Sequence, residues 1–245
     1  MAKRFTRPES MKDKATHYCP GCGHGLAHRL LCEVIDEMGC RETTVAIAPV
    51  GCAVLAYDYW DFDTMEAPHG RTPAVATGVK RVLPDRLVFT YQGDGDLAAI
   101  GTAEIIHAGN RGENLSVIFV NNGVYGMTGG QMAPTTLLGQ RTATSQFTRR
   151  SATEGFPLKI LEMMKDLKGV SYLERTSVHS PKEVLNTKRA IAKSFKTQLD
   201  NKGFSIVEIL SPCPTYWGLD PVESMKRIET EVVQEYPIGV IKDSV

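Results

Sequence analysis

Two short apolar runs, residues 87–91 and 115–120, are joined by a segment with helical apolar spacing over residues 97–108. Each run leads into a polar loop: Gly93-Asp94-Gly95-Asp96 after the first, Asn121-Asn122-Gly123-Val124-Tyr125-Gly126 after the second. Strand, helix and strand in this order form a parallel pair with a right-handed crossover. Ligands of parallel sheets bind at the carboxyl ends of the strands, so the two loops meet along one edge. Their residue types suit a diphosphate bridged by a metal ion. Gly93 and Gly95 let the backbone approach a phosphate, Asp94 supplies a hard carboxylate oxygen and Asn122 an amide oxygen. The Val124 carbonyl is a third candidate, and diphosphate oxygens and water would complete an octahedron around Mg²⁺. Gly-Asp-Gly alone is an ordinary turn, and the paired asparagines at the next strand end are what change the reading. A nicotinamide fingerprint would need glycine at position 98, where this chain has Ala98, and no acidic residue closes the following strand.

The remaining pattern repeats the alternation of strand and helix. Residues 25–38 read as a helix stopped by Gly39, residues 43–48 as a buried strand ending at Pro49-Val50-Gly51-Cys52, and residues 73–82 as a helix stopped by Pro84. Residues 58–73 and 132–155 read as irregular. Residues 157–167 read as helix, 170–174 as strand, 181–199 as helix and 204–210 as strand, the last followed by Ser211-Pro212-Cys213. Residues 221–235 form an amphipathic helical tail suited to docking on a neighbour. The expected fold is α/β, a mostly parallel sheet with helices on both faces. With 245 residues, the reading is an arm over residues 1–15 and one domain over 16–245.

Twenty-eight Lys and Arg balance 28 Asp and Glu, which argues against a nucleic-acid partner. No apolar run is long enough to cross a bilayer and the start lacks a signal-like apolar core, so a soluble cytoplasmic protein is expected. Six cysteines then read as thiols or metal ligands rather than disulfides. Cys19 and Cys22 form a C-x-x-C loop, while Cys52 and Cys213 each follow a strand and reach the same sheet edge as Asp94. Four thiolates suit a tetrahedral Zn²⁺ or an iron–sulfur cluster equally well on geometry. Cys32, inside a helix, reads as a small buried apolar residue.

Gly93-Asp94-Gly95 with Asn121-Asn122 resembles the thiamine diphosphate motif. Cys19-Pro20-Gly21-Cys22-Gly23-His24, His69-Gly70-Arg71 and residues 125–131 (Tyr-Gly-Met-Thr-Gly-Gly-Gln) resemble the β subunits of 2-oxoacid:ferredoxin oxidoreductases. The resemblance spans nearly the whole chain. It implies a thiamine diphosphate-binding fold and cofactor contacts from Val50, Gly51, Cys52, Ala53, His69, Gly93, Asp94, Gly95, Asp96, Asn122, Val124, Gly126, Met127 and Thr128. Mg²⁺ would be held by Asp94, Asn122 and Val124, and a [4Fe–4S] cluster by Cys19, Cys22, Cys52 and Cys213. A structural zinc has no reason to lie beside a thiamine site, whereas a cluster there could take electrons from it. His69 and Arg71 would face the substrate, Arg71 as a carboxylate clamp unless it is merely an exposed ion-paired arginine.

The implied reaction is oxidative decarboxylation of a 2-oxoacid, 2-oxoglutarate or a branched-chain one, with coenzyme A as acyl acceptor and ferredoxin as electron acceptor. Thiamine enzymes also need a glutamate against the aminopyrimidine ring, carried on a second domain. The chain is too short for both, so an α subunit is expected to supply that half, with a small ferredoxin-like subunit and a γ subunit as further possible partners. Glu66 and Glu104 are internal rivals for the glutamate, read as solvated or structural. A non-redox thiamine decarboxylase or lyase, and a zinc-stabilised binding subunit, are the alternatives.

Overall fold

The structure, a computed structural model, describes residues 6–245. Residues 1–5 of the expected arm lie outside that range. The described part of the arm folds back: the Glu9 and Ser10 amides donate to the Asp36 carboxylate at 2.6 and 3.0 Å, and Ser10 is buried.

Seven strands form one sheet in the order β2-β1-β3-β4-β8-β7-β9. They are β1 (Thr44–Ala48), β2 (Asp63–Glu66), β3 (Leu87–Gly93), β4 (Ser116–Asn121), β7 (Val170–Ser177), β8 (Phe204–Leu210) and β9 (Gly239–Asp243). Every pairing is parallel except β7 with β9. A separate two-stranded hairpin joins β5 (Val124–Tyr125) to β6 (Gln131–Met132).

Period-2 alternation distributes the strand side chains between two cores. Phe89, Tyr91, Ile118, Val120, Val207 and Ile209 face one side. There they pack against α1 (Gly23–Met38) and α6 (Pro181–Leu199) through residues such as Leu31, Ile35, Ile191 and Phe195. Val88, Val117, Phe119 and Ile206 face the other side, against α2 (Thr72–Val82), α3 (Thr102–Asn110) and α5 (Ile160–Met164). Both faces of the central strands are buried, which is why β4 reads as a nearly continuous rather than alternating apolar run and why even Ser205 and Glu208 of β8 are buried. The short α4 (Ser151–Glu154) lies in the long loop before α5.

Several elements depart from expectation. Residues 58–73 are not wholly irregular: Asp63–Glu66 adds β2 in parallel beside β1. Its largely exposed Asp-Thr-Met-Glu sequence carries no apolar alternation. The helix expected over residues 97–108 begins with a π-helical turn, Gly95–Ile100, in which the Gly101 amide donates to the Asp96 carbonyl at 2.8 Å. Such turns widen a helix locally and concentrate at functional sites. Of residues 157–167, only Ile160–Met164 is α-helical.

The tail comprises α7 (Pro214–Trp217), α8 (Pro221–Arg227), a π-helical turn and α9 (Val233–Glu235). Asp220 and Glu223 form a capping box that starts α8. The apolar face expected to dock on a neighbour packs on its own chain instead: Ile228, Val232 and Tyr236 cluster with Leu210.

One buried ion network joins β8 to β7 and to α5. Arg175 donates through Nε to Glu208 at 2.7 Å and through its two terminal nitrogens to Glu162 at 2.8 and 2.7 Å. Glu208 also accepts from Asn121 Nδ2 at 2.7 Å. Burial pushes the Glu208 carboxyl up despite Arg175. Arg175→Met would strand that carboxylate beside the strand that carries Asn121. The expected cost is about 3–5 kcal/mol, read as a lower midpoint in denaturant unfolding.

Candidate functional site

After β1 the chain runs to the edge strand β2 and returns to β3 on the other side of β1. This reversal opens a crevice at the carboxyl ends of the strands, the usual ligand position in such sheets. A cavity of about 90 Å³ lies there. It is lined by Val50, Gly51, Cys52 and Ala53 after β1, His69 before α2, and Gly93, Asp94, Gly95 and Asp96 after β3. Asn122, Val124, Gly126, Met127 and Thr128 complete it after β4. Every residue expected to touch the cofactor is therefore in one wall. His24, Pro49 and Tyr125 also line it. The Cys-Pro-Gly-Cys-Gly-His motif already marked His24, whose burial lowers its pKa to about 4 and whose Nδ1 is 2.8 Å from the Tyr91 hydroxyl.

Asp94 is buried at the centre of this wall. One carboxylate oxygen accepts from the Gly95 amide at 2.8 Å, and the other from the Gly123 amide at 2.6 Å and the Thr135 hydroxyl at 2.9 Å. Burial nevertheless outweighs these donors and raises its pKa to about 6. A carboxylate so poised is stabilised by an adjacent cation. Asn122 accepts from the Val124 amide at 3.1 Å through Oδ1, so Asp94, Asn122 and Val124 sit on interlocked backbone. The cradle depends on glycine, since a Cβ on Gly95 would fall 2.3 Å from the Tyr125 ring.

Asp96 points the other way. Its Oδ1 accepts from the Gly70 amide at 2.8 Å and lies 2.7 Å from His69 Nδ1, while Oδ2 accepts from Gln92 Nε2 at 2.7 Å and the Thr72 hydroxyl at 3.3 Å. It ties the His-Gly-Arg loop to β3. Arg71 lies outside the cavity wall, ion-paired with Glu104 on α3. Glu66, at the end of β2, is exposed.

A second cavity of about 250 Å³ adjoins the first, and Cys19, Cys22, Cys52 and Cys213 all line it. Cys52, Asn122, Gly126 and Met127 belong to both walls. A Cβ on Gly126 would fall 2.9 Å from the Cys52 sulfur and 3.9 Å from that of Cys213. Glycine at 126 thus lets the loop lie close against the Cys52 sulfur. Burial, with smaller contributions from neighbouring cysteines and Asp94, raises the Cys52 and Cys213 thiols to about 12. Among the described residues, no three His, Cys, Asp or Glu side chains converge closely enough to hold a single metal ion. The Ser211 hydroxyl, two residues before Cys213, is buried without a hydrogen-bond partner, and Cys32 and Cys40 are buried elsewhere, in the core between α1 and the sheet.

Comparison with known proteins defines the class first. Residues 39–209 match the family described as thiamine pyrophosphate enzyme, C-terminal TPP binding domain. A 2-oxoglutarate synthase subunit KorB of Archaeoglobus fulgidus is 33% identical over 94% of this chain and 85% of its own length. The KorB of Methanocaldococcus jannaschii is 35% identical over 84% and 73%. The ketoisovalerate oxidoreductase subunit VorA of Methanothermobacter thermautotrophicus is 47% identical over 98% of this chain and 50% of its own length, so the chain spans about half the length of that relative. A 2-oxoglutarate:ferredoxin oxidoreductase from Magnetococcus marinus, solved with 2-oxoglutarate, coenzyme A and succinyl-CoA bound, shares the fold. Its TM-score is 0.81, at 23% identity over 99% of this chain and 86% of that one. The chain belongs to the thiamine pyrophosphate enzyme family and to the family of the KorB subunits, and is similar to VorA. No helix among the described residues is long and apolar enough to cross a membrane.

Proposed function

We propose that the chain is the β subunit of a 2-oxoacid:ferredoxin oxidoreductase. The overall reaction converts a 2-oxoacid and coenzyme A to acyl-CoA, CO₂, one proton and two electrons, which two ferredoxins accept. The observation that carries this reading is the shared wall: the diphosphate cradle and the four-cysteine cavity have Cys52, Asn122, Gly126 and Met127 in common. A non-redox thiamine enzyme would use the cradle and leave the four thiols beside it without a purpose.

Bound thiamine diphosphate would supply the carbon nucleophile that attacks the keto carbon, and the chain's own residues would position it. Asp94, Asn122 and the Val124 carbonyl fit Mg²⁺ as hard oxygen donors. Asp94 bears the charge that bare burial disfavours, which a divalent cation would restore. Gly93, where a Cβ would meet nothing within 4 Å, would leave room for the diphosphate, while Gly95 and Gly126 let Tyr125 and Cys52 pack close against the cradle. A carboxylate only accepts, so Asp96 fixes the hydrogen of His69 on Nδ1 and leaves Nε2 as the ring nitrogen for the substrate. Arg71 would need to leave Glu104 to clamp a carboxylate, so His69 is the stronger substrate-facing candidate of the two.

The four cysteines fit a [4Fe–4S] cluster. Ligands of one zinc ion close on a point about 2.3 Å from each sulfur, whereas cluster ligands stand further apart around a multi-atom core. Thiols held neutral by burial and by one another would ionise against the iron. The substrate is a branched-chain 2-oxoacid or 2-oxoglutarate, and an α subunit would supply the pyrimidine half of the site and its glutamate. The single-domain arrangement of residues 16–245 belongs to the same proposal.

Anaerobic purification of the chain with its natural partners tests this directly. About four iron and four sulfide are expected at this chain after other subunits' clusters are subtracted. Coenzyme A-dependent ferredoxin reduction is expected with 2-ketoisovalerate or 2-oxoglutarate. Zinc at the cysteines, or decarboxylation without electron transfer, would overturn it.

A further inference from the structure

We propose that Thr135 is a positioning residue for the diphosphate–metal cradle, and that the buried Arg149 holds it in place. This rests on the thiamine diphosphate reading of the cradle above.

The segment between β6 and α5 has no period in sequence, yet it is organised around one side chain. Arg149 is 5% exposed. Its Nε donates to the Gly155 carbonyl at 3.0 Å, one terminal nitrogen to those of Pro134 and Thr136 at 2.8 and 2.6 Å, and the other to that of Phe156 at 2.7 Å. A planar guanidinium with five donors can gather main-chain carbonyls from several directions at once, which an ammonium cannot. The gathered carbonyls at 134 and 136 bracket Thr135. Its own carbonyl is fixed from the far side by the Tyr236 hydroxyl at 3.0 Å. Thr136 adds a second hold, donating its hydroxyl to the Gly123 carbonyl at 2.6 Å.

The outcome is a two-residue clamp on the cradle. Thr135 donates to the Asp94 oxygen that also accepts the Gly123 amide, and Thr136 grips the carbonyl of that same Gly123. With the Gly95 amide on the other oxygen, both oxygens of the Asp94 carboxylate are held by donors of the chain. A hydroxyl donated to a carboxylate is among the stronger hydrogen bonds, and such outer partners set how well a ligand presents its free lone pairs to a metal.

The test measures Mg²⁺ and thiamine diphosphate binding by calorimetry on the complex purified with its partner subunits and stripped of cofactor. Unfolding midpoints of the stripped samples are recorded alongside. Thr135→Val keeps the shape and removes the donor, and is expected to weaken binding about tenfold or more. Thr135→Ser restores the donor and is expected to bind within about threefold of wild type. Arg149→Lys, lacking the fork, is expected to weaken binding as Thr135→Val does. Wild-type binding with Thr135→Val equally tight overturns the proposal, as does Thr135→Ser failing to recover affinity while its midpoint matches wild type. If Thr135→Val does not fold, Thr135→Ala is judged by the same criteria. Wild type that binds no cofactor would sink the thiamine reading itself, a result distinct from any variant's.

Discussion

Asp94→Ala is expected to lower affinity for Mg²⁺-thiamine diphosphate by roughly 100-fold or more, because it removes the one carboxylate among the three proposed Mg²⁺ ligands. The pH dependence follows from the same group. Burial raises its pKa to about 6, so in the cofactor-free chain Asp94 is protonated below that pH and Mg²⁺ must displace the proton. Affinity should fall about tenfold per pH unit below about 6 and level off above it. Folding carries the opposite sign. A carboxyl whose pKa is raised on folding contributes stability that is fully present below the unfolded value of 3.8 and is lost as pH rises through about 6. Cofactor-free wild type should therefore lose on the order of 3 kcal/mol from this group between acid and neutral pH. Asp94→Ala should lack that component, and added Mg²⁺ with thiamine diphosphate should restore stability to wild type alone at pH 7. Thermal melts across pH 3.5–7.5, with and without cofactor, would show whether the two proteins differ in this way.

If the proposed [4Fe–4S] cluster is bound, Cys213→Ser is expected to remove its broad visible absorption and to cut ferredoxin reduction by roughly 100-fold, while thiamine diphosphate affinity stays near wild type. Its thiol lines the second cavity without lining the first, which is why the two properties should separate. Cys32→Ala is the control: Cys32 is fully buried in the core beside Ser10, whose carbonyl accepts its thiol at 3.4 Å. Iron content unchanged in Cys213→Ser, or lost in Cys32→Ala, would remove the cysteine assignment.

Much of this molecule could be read before its structure because the chemistry sits at strand ends. The buried strands β1, β3, β4 and β8 are predominantly apolar, and each points to the loop that follows it. The two edge strands escaped for a physical reason. Asp63–Glu66 and Gly239–Asp243 are largely exposed and held by backbone pairing on one side only, so their side chains bear little imprint of the sheet. The amphipathic tail was legible as a helix but not in its destination, since an apolar stripe does not say whether its partner is another chain or Leu210 of its own. Asp96 was recognised as part of the site, whereas its attachment to His69 depends on the π-helical turn that carries it. Arg149 left no signal at all. An arginine that binds carbonyls has no acidic counterpart in the sequence to mark it.

Because Gly126 and Cys52 serve two compartments at once, neither can be altered for the benefit of one alone. Substitutions there should show energetic coupling both to Gly95, which faces only the diphosphate side, and to Cys19, which faces only the thiol side. Gly95 and Cys19 should be independent of each other. On the proposed function, substitutions at the outer rim of either chamber should change that chamber alone, whereas substitutions at the common wall should change both.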